Sequence, residues 1–181
     1  TEACDNVYVN GMGIVNFQGY GFDPHGVKRS KTWSVNLTIV NSYAGNNDWD
    51  GYTIDQSANV IIRSNVAYNN GRHGFNIVTG TYNIIIENNN AYGNGYYYYD
   101  GSEGCGIAVQ NNMKYGTHNV TVKNNTFINS MDAGICVNDV YNVIVINNTI
   151  IRNNTIVCVK SVKVVNGTFD NNACLPMKFP S

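Results

Sequence analysis

The sequence predicts an all-β chain wound as a single-stranded, right-handed parallel β-helix of about 23–24 residues per coil. Three observations lead there. A segment beginning with Asn, continuing with three to five residues rich in Val and Ile and closing on Asn or Ser recurs along the chain. A second apolar alternation follows a glycine within each unit. No stretch shows the 3.6-residue period of a helix.

The first repeat reads NLTIVN from Asn36, NVIIRSN from Asn59, NIIIENN from Asn83, NVTVKNN from Asn119 and NVIVINN from Asn142, with a degenerate SVKVVNG from Ser161. The spacings are 23, 24, 36, 23 and 19 residues, and the long one carries the insertion GYYYYDGSEGCG from Gly95 and more around 111–116. The second repeat reads GYTID at Gly51, GFNIV at Gly74, GIAVQ at Gly106 and GICVN at Gly134. Its alternation is that of a strand with one face in a core. Pieces such as NVAYNNG supply a third short strand and residues that tolerate left-handed backbone.

Three short strands per unit suit coils that hydrogen-bond to one another about 4.8 Å apart. An Asn recurring at one corner can then donate to and accept from its equivalents in the coils above and below, forming a ladder. Leucine-rich repeats also carry Asn ladders, but their Leu frame is absent. The sequons at Asn36 and Asn119 fall on ladder positions, so these two are expected to point inward and stay unmodified, leaving Asn153 as the better acceptor.

At 181 residues the chain is expected to be one domain, 1–181. A net charge of −1 argues against general nucleic-acid binding, and no apolar run reaches the length of a membrane span. Thr1 opens no signal pattern, and the lack of an initiator Met suggests a processed or excised product. Five of the eleven basic residues, Lys28, Arg29, Lys31, Arg63 and Arg72, cluster within 28–72, where a small anionic ligand can be met. The five cysteines show no C-x-x-C spacing, which speaks against zinc; Cys4 and Cys174 can each tie down a terminus, or the thiols can be buried and inert.

With the glycine-led strand as a ruler, residues 21–25 align with 51–55 and 74–78. Phe22, Tyr52 and Phe75 become an inward column and Asp23, Thr53 and Asn76 an outward one, with His25 directly below Asp55. Tyr20 precedes the first of these strands, and Arg72 and His73 precede the third. One outer face is thus expected to display Tyr20, Asp23, His25, Asp55, Arg72 and His73 together. His118, beside a ladder Asn, reads as structural.

The runs YGFDPH, DGYTID, NVAYNNGRHGFNIVT and NNAYGNG resemble the catalytic module of the mannuronan C5-epimerases, over about residues 19–110. The resemblance implies an enzyme on alginate, with Tyr20 and His25 as the proton-transfer pair. It implies that Asp23, Asp55, Arg72 and His73 hold or neutralise the uronate. Asn76 lies in the matching run and is expected to bind substrate. The family also carries a lysine on a coil before the DPH motif; Lys28 and Lys31, in a segment longer than the family's, are the cations here that can stand in for it. Tyr97, in the run of tyrosines 96–99, can stack on sugar rings or pack over the coil below.

Inverting C5 of mannuronate removes a proton beside a carboxylate, so the dianionic intermediate needs cations or donors. Arg72 offers a bidentate fork, and a protonated Asp another donor. A lyase starts with the same abstraction and then expels the 4-O-linked sugar. A hydrolase would want two carboxylates flanking the bond, for which Asp23 and Asp55 are the pair. No redox cofactor is required; Ca2+ can bridge uronates or brace the fold, though no oxygen-ligand motif demands it. The expectation is a secreted or cell-wall protein, monomeric, taking a polyuronate chain and neither nucleic acid nor membrane.

Overall fold

The computed structural model describes residues 3–27, 31–95, 104–111, 116–152 and 157–176. Lys28, Tyr97 and Asn153 lie outside them. Three sheets run along one axis, and every strand-to-strand pairing in them is parallel. In chain-order numbering, the first sheet stacks β1 (Asp5–Asn10), β3 (Ser34–Val40), β6 (Ser57–Arg63), β9 (Tyr82–Glu87), β12 (His118–Lys123), β15 (Tyr141–Ile146) and β18 (Val165–Asp170). The second stacks β2 (Gly13–Val15), β4 (Tyr43–Gly45), β7 (Val66–Tyr68), β10 (Asn90–Tyr92), β13 (Thr126–Ile128), β16 (Thr149–Arg152) and β19 (Ala173–Pro176). The third holds β5 (Tyr52–Asp55), β8 (Phe75–Val78), β11 (Ile107–Gln110), β14 (Ala133–Asn138) and β17 (Val157–Val162).

The Val and Ile of each repeat fall into register from coil to coil. Leu37, Val60, Ile84, Val120 and Val143 form one buried column, and Ile39, Ile62, Ile86, Val122 and Val145 another. Ala44, Ala67, Ala91, Phe127 and Ile150 line the second sheet's inner face. Burying a branched side chain contributes about 1.5–3 kcal/mol, so each column is a substantial share of the fold's stability.

The coil register differs from the sequence expectation at both ends. Asn6 begins a coil below Asn36, one coil before the repeats from Asn36 onward start. The unit assigned to Ser161 instead begins at Asn166, because β18 pairs with β15 while Ser161 sits in β17 opposite Val137. The pattern at Ser161 belongs to a different face of the same coil.

The ladder expectation also needs correction. Asn36 and Asn119 are exposed, so burial gives no reason for their sequons to be inaccessible. They belong to an outer ladder of Asn6, Asn36, Asn59, Asn83, Asn119, Asn142 and Asn166, in which each Nδ2 from Asn36 onward donates to Oδ1 of the Asn in the coil below at 3.0–3.2 Å. Each of these seven has positive φ, a conformation Asn accepts more readily than other non-glycine residues. The inward ladder uses the second Asn of the NN dipeptides. In Asn88–Asn89 the first residue turns the corner at φ 57° and the second is buried. Asn89 Nδ2 donates to Ile62 O at 2.9 Å and Asn125 Oδ1 at 3.0 Å, and its Oδ1 accepts from the Asn65 amide. Asn65, Asn125 and Asn148 repeat the arrangement.

The glycine just before each of β5, β8 and β11 is required by close approach. A Cβ on Gly51 would lie 2.8 Å from Gly74 O, and one on Gly74 2.6 Å from Gly106 O. Two disulfides join Cys105 to Cys136 and Cys158 to Cys174. Cys174 therefore ties β19 to β17. Cys4 is exposed, and its amide donates to Ser34 Oγ at 3.1 Å.

Candidate active site

The site lies on the outer face of the third sheet, at its first coils. Parallel bridges pair Phe22 with Tyr52 and His25 with Asp55, and β5 pairs with β8 through Tyr52–Phe75, Thr53–Asn76 and Asp55–Val78. This is the alignment the glycine ruler predicts. The inward column is a stack of rings, Phe22 on Tyr52 at 4.7 Å and Tyr52 on Phe75 at 4.8 Å, which fixes the register of the outward residues opposite.

Just before each strand, the residues of three coils line up through backbone bonds. Trp49 N donates to Gly19 O and Arg72 N to Trp49 O; one position on, Gly21 N donates to Asp50 O and Gly51 N to His73 O. Tyr20, Asp50 and His73 thus share one row, and Gly19, Trp49 and Arg72 the next. Tyr20 meets Trp49 edge-on at 4.7 Å between ring centres, and the Arg72 guanidinium lies 5.3 Å over the Trp49 ring.

Tyr20, Asp23, His25, Asp55 and Arg72 are half-buried; Tyr20 lies within electrostatic reach of Asp23, Asp55 and Arg72, and Asp23 within reach of His25 and Asp55. Burial raises the Tyr20 hydroxyl above the ordinary phenol range; Asp50, Asp23 and Asp55 add to the rise and Arg72 opposes it. Burial also raises the Asp23 carboxyl, with further push from Asp55 and Asp50, against the pull of His25. His25 Nδ1 lies 3.3 Å from Asp23 Oδ2 and 3.2 Å from the Asp23 carbonyl oxygen.

His73 differs from the outward display expected of it. It is 5% exposed, and its Nδ1 accepts a 3.1 Å hydrogen bond from the Cys105 amide, which leaves the ring proton on Nε2 in the neutral form. Asn76 is also covered, its Oδ1 accepting from Gln110 Nε2 at 2.9 Å. Lys31 is exposed beside the short antiparallel bridge between Val27 and Thr32.

The residue that covers Thr53 and Asn76 is Asp50, which the sequence reading passes over. Its buried carboxylate accepts from Thr53 Oγ1, from Asn76 Nδ2 and from the His73 amide, each at 2.9 Å. Trp49 was likewise passed over. The signal for both lies in the two rows: extended to the intervening coil, the row through Tyr20 and His73 lands on Asp50, and the row through Gly19 and Arg72 on Trp49. His118 lies elsewhere, stacked between Tyr82 and Tyr141 at 5.2 and 4.6 Å, with Nδ1 against Gly116 O.

Among the described residues, one cluster has ligand atoms close enough to share a metal ion: Cys105, Asp132 and Cys136. Its two sulfurs are joined in a disulfide, and Asp132 accepts from Lys160 Nζ at 3.2 Å, so this donor set does not fit a cation.

Comparison with known proteins follows the same lines. Residues 4–150 match the family described as the right handed beta helix region. A stretch of 77 residues, 42% of this chain and 5% of the relative, is 47% identical to mannuronan C5-epimerase AlgE1 of Azotobacter vinelandii. A stretch of equal length is 43% identical to alginate lyase 7 of the same bacterium, covering 8% of that protein. The solved A-module of the Azotobacter vinelandii epimerase AlgE4 superposes on 97% of this chain with a TM-score of 0.64, at 21% identity, a likeness of fold. The chain spans 63% of that module and only a small part of the curated relatives. The chain belongs to the right-handed β-helix family, and over the matched stretch it resembles the mannuronan C5-epimerases.

Proposed function

We propose that this chain acts on alginate as a mannuronan C5-epimerase, turning β-D-mannuronate into α-L-guluronate within the polymer. The observation that carries the reading is the register of residues 22–25 beneath β5 and β8, with the rows just before these strands, which bring Tyr20, Asp23, His25, Asp55 and Arg72 to the same coils. Arg72 engages the uronate carboxylate, and Asp23, whose carboxyl is raised by burial, donates a further hydrogen bond to it when protonated. His25 takes the C5 proton as general base; the electron pair passes into the carboxylate as the dianion. Tyr20, which holds its proton well above neutral pH, returns one to C5 from the opposite face. The reaction gains and loses no electrons, so it calls for no redox cofactor. Calcium can assist by bridging uronates. Two disulfides suit an oxidising, extracellular setting.

Elimination is the second reading, favoured by the likeness to an alginate lyase. There the same C5–H bond breaks, but the C4–O4 bond follows, O4 takes the proton, and a 4,5-unsaturated sugar remains. Polymannuronate incubated in D2O separates the two by proton NMR. Deuterium at C5 with inversion supports epimerisation, and an unsaturated product absorbing in the ultraviolet moves the assignment to lyase. His25→Ala is expected to abolish either reaction; turnover equal to the parent's would remove His25 from the chemistry and favour a binding role.

A further inference from the structure

Trp49 has no part in the proton transfers just described, yet its indole touches Tyr20, which returns the proton, and Arg72, which holds the carboxylate. It is 42% exposed, meets the Tyr20 ring edge-on at 4.7 Å, and carries the Arg72 guanidinium 5.3 Å over its own ring. Its row neighbour below is Gly19, where an added Cβ would meet nothing within 4 Å. Beneath the indole, then, the row carries no side chain, and the contact from that coil comes from Tyr20 in the adjacent row. Arg72 is a long side chain with many rotamers, and a guanidinium laid over an aromatic face loses most of that freedom.

We infer that Trp49 is a positioning residue: its ring, in contact with both, sets how far the Arg72 guanidinium stands from the Tyr20 hydroxyl. The inference rests on the epimerase reading for its chemistry. Arg72 fixes the uronate carboxylate, and the carboxylate fixes C5. The distance from Arg72 to Tyr20 therefore decides whether C5 lies within reach of the proton Tyr20 returns. An aromatic ring is suited to this because it is rigid and contacts both partners at once, whereas an aliphatic side chain offers the guanidinium no negative face.

The test uses the full chain carrying Trp49→Ala or Trp49→Phe, assayed on polymannuronate. Trp49→Ala is expected to lower kcat about 10- to 100-fold, the size of loss that misplacing a reacting group by around an ångström causes, with KM changed less than about 3-fold. Trp49→Phe, which keeps an aromatic face, is expected to recover most of kcat. The Arg72 side-chain proton resonances are expected to show an upfield ring-current shift in the parent that Trp49→Ala removes. A raised KM with kcat intact would mean that Trp49 touches sugar directly, and would overturn the inference. So would an unchanged kcat, with or without a lowered melting temperature. If the parent itself exchanges no C5 proton, the epimerase reading fails; the ring-current shift then stands as the separate measurement, and its absence overturns the placement of Arg72 on Trp49.

Discussion

Asn76 Nδ2 donates to Asp50 Oδ2 at 2.9 Å, joining a strand of one coil to the turn of the coil below. With Thr53 Oγ1 and the His73 amide, Asn76 makes Asp50 the acceptor for three donors from two successive coils. A buried carboxylate persists when its lone pairs are filled in this way. Asp50→Ala would strand those donors without an acceptor, at a cost on the order of 3 kcal/mol. Urea unfolding is expected to show a lower midpoint with an unchanged slope. Asp50→Ala unfolding at the parent's midpoint would mean that water replaces the carboxylate without penalty.

Asp23 sets a pH dependence of defined sign. Its folded pKa lies above the ordinary value of 3.8, so the folded chain binds that proton more tightly than the unfolded chain does. The associated stability is fully present below the ordinary value and is lost as pH rises through the folded one. Asp23→Asn removes the titration. The melting temperature of the parent relative to Asp23→Asn is therefore expected to fall as pH increases from about 3.8 towards neutral. A difference that stays constant, or grows, across that range contradicts the raised carboxyl. The same deprotonation takes a donor from the uronate carboxylate, so substrate affinity is expected to weaken in parallel.

What the sequence discloses follows from the solenoid's own regularity. Once one coil's register is known, alignment of its glycine carries every outward residue into the next coil, which is why the His25–Asp55 and Thr53–Asn76 pairings can be read by counting. The same counting fails where the repeat's letters recur on a different face, as at Ser161. It also cannot tell the outer Asn of a ladder from the inner one, because both satisfy the pattern and only the sign of φ and the depth of the next residue separate them. The disulfide of Cys105 with Cys136 joins β14 to the residue just before β11's opening glycine, and neighbouring coils meet there without any sequence spacing to announce it. Asp50 is hidden for a different reason: it stands before the strand, outside the glycine-led alternation, in a coil with no histidine or tyrosine of its own at that row.

Gly74 tests how tightly adjacent coils approach beside the site. A Cβ there would lie 2.6 Å from Gly106 O and 2.9 Å from both the Ala91 Cβ and Asn94 Nδ2. The first contact is backbone and cannot swing aside. Gly74→Ala is expected to destabilise the fold by about 1–3 kcal/mol and to lower activity further than the stability loss alone explains, since His73 is the preceding residue. Gly19→Ala is the control, because its Cβ enters open space. Equal unfolding midpoints for the two variants would contradict the close approach.

The two Asn ladders are predicted to differ in what they contribute, although their sequences look alike. Asn83 is exposed and exchanges side-chain hydrogen bonds with Asn59 and Asn119, groups that water can satisfy in its absence. Asn83→Ala loses those weak bonds and places alanine at a φ of 57°, which together amount to about 1–2 kcal/mol. Asn89 is buried, and removing its side chain leaves the Asn65 amide and Asn65 Nδ2 without their acceptor and Ile62 O without its donor. Since each stranded buried group costs about 1–3 kcal/mol, Asn89→Ala is expected to destabilise the chain by at least twice as much as Asn83→Ala. Thermal unfolding of the two variants side by side decides it. An Asn83→Ala protein less stable than Asn89→Ala would reverse the assignment of inner and outer ladders, and with it the account of why paired asparagines punctuate this sequence.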